Sequence, residues 1–235
     1  MNKTKLAFIV AAAFAFAACT STPQMQTGPD AEITHDGLTR VDKTVLDAVW
    51  VRANTDLSDY SKILFQGVGI EFRPNNGPYS GRAGASSTAS GASRSRTEFQ
   101  LDDATKAAVA EEITAAFLEE LAKSSQYQIV DQPGEDVLTL NAGLLDVVSR
   151  VPPENLGRGA VYLDSVGEAT VVMELRDSTS NAIFARAIDR RAAERAAGSM
   201  MESNSVTNRV EVRRLGRRWA SLVRGGLETL LSNNP

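Results

Sequence analysis

Two stretches of strand-like sequence, joined by five polar residues, constrain the fold of this chain more than any other feature. In the first stretch, residues 168–177, every second position is apolar: Ala169, Val171, Met173 and Leu175. The linking residues 177–181 (DSTSN) have the length and composition of a hairpin loop, and a second strand is predicted at 182–190. The pattern therefore predicts two antiparallel neighbours with one face toward a core.

Other strands and helices are predicted on both sides of this hairpin. Apolar residues alternate or run almost continuously in three segments: 62–72, 127–130 and 137–148. A helix capped by Asp102 or Asp103 is predicted to end near Ser124, and a second helix is predicted at 206–231. Residues 35–51 are interpreted as a short lead-in. This order predicts an α+β fold, with a mainly antiparallel sheet of four to five strands and two long helices on one face.

The N-terminus has the organisation of a bacterial export signal. Lys3 and Lys5 precede the apolar stretch 6–18, which is shorter than the roughly 20 residues of a membrane-spanning helix. The end of this stretch together with Cys19, residues 16–19 (FAAC), resembles the lipobox of bacterial lipoproteins, with Phe where that family usually has Leu. The resemblance implies that Cys19 is lipidated. The alternative is a secreted protein with a coincidental cysteine.

Cys19 is the only cysteine, so an intramolecular disulfide is excluded. A multiply acylated cysteine would hold the protein firmly at a membrane, at about 0.8 kcal/mol per buried CH₂ group. Thr20 stands where inner-membrane lipoproteins carry Asp, and this resemblance implies the periplasmic leaflet of the outer membrane. The predicted organisation is a signal peptide (1–18), a lipidated cysteine with a flexible tether (19–34), and one α+β domain (35–235) with a mobile Gly/Ser-rich loop at 74–97.

The charge balance argues against a nucleic-acid partner. The chain has 25 Lys and Arg against 29 Asp and Glu, a net charge of −4. Cleavage after residue 18 would remove two lysines and no acid, so the mature chain is more acidic still. Nucleic-acid binding relies on clustered cations.

Few residues of the sequence are candidates for catalysis or metal binding. His35 is the only histidine and lies near the tether, where a solvated linker residue is the simpler interpretation. Residues 111–112 and 119–120 are paired glutamates that could act in acid–base catalysis, but their helical spacing favours a solvated face. No phosphate-binding loop and no set of zinc ligands is present. We therefore expect no catalytic residue, no metal site, no cofactor and no enzymatic activity.

An arginine series in the last helix is the best candidate for a binding site. The four residues closest to one stripe are Arg209, Arg213, Arg217 and Arg224, with Arg214 and Arg218 beside them. They are candidate contacts to an anionic partner, and the alternative is salt bridging with acids of the same chain. The loop at 74–97 carries Arg82, Arg94 and Arg96, which are candidate contacts only if that loop binds a partner.

Several short motifs together resemble one family. They are residues 36–38 (DGL), 56–60 (DLSDY), 132–138 (QPGEDVL), 167–169 (GEA) and 219–220 (WA). With the lipobox, they resemble an uncharacterised family of Gram-negative outer-membrane lipoproteins that is catalogued as a domain of unknown function. Relative to its usual pattern, residues 74–96 look like an insertion. The resemblance implies the anchor and no activity.

The expected function is that of a lipid-anchored, periplasm-facing envelope protein that binds another envelope protein and is not an enzyme. The alternative is a lipid-binding auxiliary lipoprotein of an envelope transport or lipid-trafficking system, for which an apolar cleft between helix and sheet would be expected. A hydrolase is a third class, but the sequence offers it no suitable base.

Overall fold

The structure is a computed structural model that describes residues 22–72, 99, 101–152, 160–194 and 200–232. The strands before the first helix are β1 (Gln24–Met25), β2 (Thr39–Asp42), β3 (Ala48–Val51) and β4 (Lys62–Phe72). Those after it are β5 (Gln128–Val130), β6 (Val137–Ser149), β7 (Tyr162–Leu163), β8 (Ser165–Asp177), β9 (Ile183–Glu194) and β10 (Met201–Glu202). The helices are α1 (Asp103–Leu121) and α2 (Ser205–Ser232).

Eight of these strands form one mixed sheet, in the order β1-β2-β3-β9-β8-β6-β4-β5. β7 and β10 form a separate antiparallel pair. The hairpin prediction is confirmed, because β8 and β9 pair antiparallel along most of their length. The prediction of a sheet of four to five strands is wrong, since the sheet has eight strands, most of them paired antiparallel and some parallel.

The missed strands are too short to show a period of two. β2 and β3 have four residues each and lie within residues 35–51, the stretch interpreted as a lead-in. β3 pairs antiparallel with β9, β2 pairs with β3, and β1 pairs with β2. Each short strand hydrogen-bonds its backbone to the neighbouring strand of the sheet. The sheet, and not the local sequence, therefore stabilises it. β1 lies in the segment predicted to be a tether.

The parallel pairs follow from the position of α1. This helix connects β4 to β5, and such a crossover brings two strands side by side in the same direction. β4 accordingly pairs parallel with β5 on one side and with β6 on the other.

Both helices pack on the same face of the sheet. On α1, the ring of Phe117 stacks on that of Phe65 in β4, with 5.3 Å between centroids. The predicted cap of α1 is confirmed at Asp102, whose side chain accepts a hydrogen bond from Thr105 N at 2.7 Å. The two helices approach closely, because a Cβ placed on Gly216 of α2 would lie 3.0 Å from Ala116 Cβ of α1. Among the described residues, no helix has the length and apolarity needed to cross a membrane.

Trp219 fixes α2 to the sheet. Its side chain is 0% exposed, and its indole Nε1 donates a hydrogen bond of 2.8 Å to Asp189 Oδ2 in β9. Asp189 is 1% exposed, accepts a hydrogen bond from Asp47 N at 3.3 Å, and pairs with Arg191. The buried carboxylate therefore has several donors, as a buried charge requires. The helical spacing of Leu215, Trp219 and Leu222 in the sequence of α2 predicts a core position for this tryptophan, and the structure confirms it.

Candidate functional site

Three of the four candidate arginines on α2 reach across to α1. Arg209 Nε lies 3.2 Å from Glu112 Oε1, and Arg213 Nη1 lies 3.3 Å from Glu112 Oε2. Arg217 Nη2 lies 3.0 Å from Glu119 Oε2, and Arg213 also pairs with Glu119. The hydrogen bond from Arg217 holds the pKa of Glu119 below its usual value, with the charge of Arg213 adding to the effect. These contacts form an ion-pair ladder between two helices that run in the same direction.

The fourth arginine pairs within its own helix. Arg224 Nη1 lies 3.1 Å from Glu228 Oε1, one turn further along α2. All four arginines thus have carboxylate partners inside the chain, which matches the alternative of internal salt bridging. Exposed pairs of this kind contribute about 0–1 kcal/mol each. Cys19 and the 74–97 loop with its three arginines lie outside the described residues.

The other candidates for chemistry lie in different environments. His35 is exposed in the turn before β2, and Glu111 is exposed on α1. Glu120 is buried at the end of α1 and pairs with Lys123. In the part of the chain that the structure describes, no three His, Cys, Asp or Glu side chains are grouped to hold a metal ion.

A surface that the sequence did not single out lies on the other side of the sheet. We call it the open face, because neither α1 nor α2 covers it. One row of cross-strand neighbours runs over five strands of the open face, and we call it the apolar row: Gly69, Gly143, Val172, Ile188 and Ala48. A Cβ added at Gly69 or Gly143 would have no heavy atom within 4 Å. The glycines therefore leave a shallow depression beside half-buried Val172 and Ile188.

An ion-pair network borders the apolar row on one side. Arg186 Nη2 lies 2.6 Å from Asp36 Oδ2, and Arg186 Nε lies 2.8 Å from Glu174 Oε1. Arg176 Nη2 lies 2.7 Å from Glu174 Oε2. A hydrogen bond from Thr34, supported by Arg186, lowers the pKa of Asp36 to about 2. Burial of Glu174 opposes its ionisation, but the two arginines outweigh this and lower its pKa. All four charges are held in fixed positions.

A second network borders the apolar row on the other side. Arg190 Nη1 lies 2.7 Å from Asp146 Oδ2 and 2.9 Å from Thr170 Oγ1, and Arg190 Nη2 lies 2.9 Å from Glu168 Oε1. Arg150 Nη2 lies 3.3 Å from Glu168 Oε2. Asp146 has a φ of 53°, at the irregularity where β6 changes register against β8. The bulge re-aims this carboxylate toward Arg190.

An aromatic side chain extends the first network toward β2. Trp50 is the cross-strand neighbour of Arg186 on β3, and the Arg40 guanidinium lies 4.7 Å from the centre of its ring. The Trp50 Nε1 donates a hydrogen bond of 3.0 Å to Glu32 Oε1. The open face thus combines arginines and a tryptophan with a half-exposed apolar row. Arginine and tryptophan are enriched at the energetic centres of protein interfaces.

Each network contains two arginines and two carboxylates, so neither side of the apolar row carries a net charge. A surface that attracts polyanions needs unbalanced cations. In its described residues, the open face therefore lacks the unbalanced positive charge that would attract a polyanion.

A pocket lies at the edge between the sheet and the end of α2. Its volume is about 180 Å³. It is lined by Met25, Val51, Arg52, Asn54, Thr55, Leu57, Phe184 and Leu230. Small-molecule sites usually have about 300–1,000 Å³. This pocket is small for a lipid.

The signal for the open face was present in the hairpin. Glu168, Glu174 and Arg176 occupy the positions of β8 between its core residues, and Arg186 and Arg190 do the same in β9. Their alternation with the core residues is the signal that would have placed them on the outer face. Their partners Asp36 and Asp146 could not be identified, because one precedes an unpredicted strand and the other lies at a bulge.

Solved structures of similar shape include a PelC variant from Paraburkholderia phytofirmans that forms a dodecamer, with 10% identity, coverage of 74% of this chain and 97% of PelC, and a TM-score of 0.34. A hypothetical protein from Chlamydia trachomatis has 12% identity, coverage of 71% and 96%, and a TM-score of 0.35. A DUF330 protein from Xanthomonas campestris has 8% identity, coverage of 76% and 93%, and a TM-score of 0.37.

A family model described as "Protein of unknown function (DUF3313)" matches residues 31–223. No curated protein matches the sequence. The matched range runs from just before β2 to most of α2, and it therefore includes the open face and the arginine ladder.

Proposed function

This chain belongs to the DUF3313 family, as the resemblance to a family of unknown function predicted, and we propose that it is a lipid-anchored envelope protein that binds another envelope protein through its open face. In this proposal it is not an enzyme. It is attached by Cys19 to the periplasmic leaflet of the outer membrane.

The observation that carries the proposal is the apolar row between two neutral ion-pair networks. Val172 and Ile188 are half-buried in the sheet without a covering helix, and Gly69 and Gly143 leave room for a partner's side chains. A protein partner would cover the apolar row and contact the arginine networks at its edges. Apolar centres with polar edges are the usual organisation of protein interfaces.

A nucleic acid or another polyanion is disfavoured as the partner, because the four arginines of the two open-face networks and the four candidate arginines of α2 are paired with carboxylates. The alternative of a lipid-binding auxiliary lipoprotein has weaker support. It requires a cleft large enough for an acyl chain, and the pocket beside Leu230 has only about 180 Å³.

The anchor has a direct test. Replacing Cys19 with alanine should abolish acylation, because the cysteine sulfur is the acceptor and the chain has no second cysteine. Metabolic labelling with a fatty-acid analogue measures this. The expected result is strong label on the native chain and none on Cys19→Ala. Equal label on both chains would disprove the anchor.

The partner surface is tested by photo-crosslinking in intact cells. With a photoreactive amino acid at position 172, we expect one adduct with a single envelope protein, identified by mass spectrometry. Adding Ile188→Glu should remove that adduct, because it places a charge in the apolar row. A matched control carries the probe at Leu118, an exposed apolar residue on α1.

The control should give no such adduct. The same adduct from positions 118 and 172, or an adduct that persists in Ile188→Glu, would overturn the open face as the binding surface. Because Ile188 is only half-buried, the variant is expected to fold, and its unfolding midpoint in urea verifies this.

A further inference from the structure

The end of the molecule at which α2 begins carries an unusual number of exposed apolar side chains. We call it the apolar end, and its residues are Val161, Tyr162, Met200, Met201, Val206 and Val210. Val206 is 70% exposed, Met200 is 66% exposed and Tyr162 is 55% exposed. Large apolar groups gathered at one surface mark a contact with a protein or a membrane.

Backbone contacts hold this end together. In the β7–β10 pair, Met201 is the partner of Leu163, and Ser203 N donates a hydrogen bond of 2.7 Å to Val161 O. Thr207 Oγ1 in the first turn of α2 donates to Glu202 O at 2.7 Å. The two short strands and the start of α2 therefore form one unit. Val206 and Val210 share one side of α2, since they are four residues apart.

We propose that the apolar end rests on the surface of the bilayer that carries the lipid anchor. This inference rests on the proposed function, since it requires the anchor at Cys19. The argument is the position from which the N-terminal segment leaves the sheet, together with the length of chain between that position and Cys19.

The N-terminal end of the described chain leaves the sheet in the direction of the apolar end. β1 pairs with β2, β2 with β3, and β3 with β9, so Met25 is level with Ala187 and Gln24 is level with Ile188. The direction of β1 means that the residues before Gln24 continue toward the end where β9 finishes and α2 starts. That is the apolar end.

The length of chain between Gln24 and Cys19 matches the distance along the sheet to the apolar end. The Trp219–Asp189 hydrogen bond places Trp219 almost level with Gln24. At about 1.5 Å per helical residue, Val210 and Val206 lie about 14 and 20 Å beyond Trp219. Cys19 is five residues before Gln24, and five extended residues span about 17 Å. The acylated sulfur can therefore reach the level of Val210, and Val206 lies about 6 Å further along, within the depth to which interfacial elements enter a bilayer. β1 lies three strand spacings from β9, about 14 Å to the side, so one flat bilayer can meet both.

The chemistry of the apolar end suits the headgroup region. Valine and methionine supply apolar contact, and tyrosine is enriched at membrane interfaces, where its ring is buried and its hydroxyl is hydrated. The exposed charges of Glu202 and Arg209 border these residues and favour a shallow contact. Interfacial elements of this kind enter the bilayer by about 5–10 Å. In this orientation the strands point away from the bilayer and the open face looks sideways, accessible to a partner in the periplasm.

The test uses the complete acylated protein in vesicles of phosphatidylethanolamine and phosphatidylglycerol. Since the only native cysteine would be acylated, a cysteine introduced at position 206 is the single free thiol and can carry an environment-sensitive fluorophore. We expect blue-shifted emission that a quencher attached to lipid headgroups suppresses. The matched control is Ser125→Cys, an exposed position after α1 at the opposite end, where we expect neither effect.

The outcomes separate the inference from the proposed function. An unquenched probe at position 206, on protein that stays on the vesicles after an alkaline wash, overturns the membrane contact and leaves the anchor intact. Equal quenching at positions 125 and 206 also overturns it, because the protein then has no fixed orientation. Protein that washes off the vesicles refutes the anchor and the inference together. A blue shift that rises with protein concentration and ignores the lipid quencher shows a second copy on this surface and overturns the inference.

Discussion

Replacing Trp219 with alanine should lower the free energy of unfolding by about 3–5 kcal/mol, the range for large-to-small changes in a core. The side chain is fully buried between α2 and β9, so its removal leaves a cavity. It also removes a hydrogen-bond donor from Asp189, a carboxylate with 1% exposure. Urea denaturation followed by circular dichroism measures the loss.

Two further variants separate the causes. Trp219→Phe keeps an aromatic ring but removes the indole N–H, and it should cost about 1.5–3 kcal/mol, the value of a hydrogen bond to a charged group. Trp50, the other tryptophan, is half-exposed on the open face, so Trp50→Ala should cost clearly less than Trp219→Ala. If the two alanine variants were equally stable, Trp219 would not be the residue that fixes α2.

Replacing Gly167 with alanine should cost about 3 kcal/mol, at the upper end of the range for overpacking. A Cβ at this position in β8 would lie 2.2 Å from the carbonyl oxygen of Val148 in β6. Because the obstacle is backbone within the sheet, no side-chain rotation relieves it. The strands would have to separate where β6 and β8 change register.

Gly143→Ala is the matched control for this prediction. Gly143 lies in β6 of the same sheet, and a Cβ there meets nothing within 4 Å. We expect it to leave the unfolding midpoint almost unchanged or to raise it slightly, since alanine restricts the unfolded chain. Thermal unfolding of both variants gives the comparison. Similar midpoints for Gly167→Ala and Gly143→Ala would contradict the close approach of β6 and β8.

The sequence predicted the central elements because their signals are long. β4, β6, β8 and both helices each extend over at least eleven residues, so their apolar periods repeat several times. It could not predict β1, β2 and β3, which have two to four residues. A strand of that length is stable only when it pairs with the edge of a sheet, and the local sequence does not indicate the pairing with β9.

For the candidate sites too, some residues could be identified from the sequence, whereas their partners could not. The arginine series of α2 was identifiable from its spacing, but its partners Glu112 and Glu119 depend on how α1 lies beside α2. The outward position of Glu174 and Arg186 followed from alternation, whereas the apolar row between the two networks needed the register of five strands. Register is a long-range property, and a shift of one residue would turn every side chain to the other face.

The sequence by itself determined the periodic elements, the hairpin, the buried side of α2 and the single cysteine on which an anchor depends. These features are local, since each follows from the spacing of apolar residues or from one residue type. Only the tertiary structure decided the eight-strand order, the parallel pairing around β4, the pairing of the arginines and the gathering of exposed apolar residues where α2 begins. These features depend on contacts between residues far apart in the chain. Such contacts form only when strands pair and helices pack on the sheet during folding.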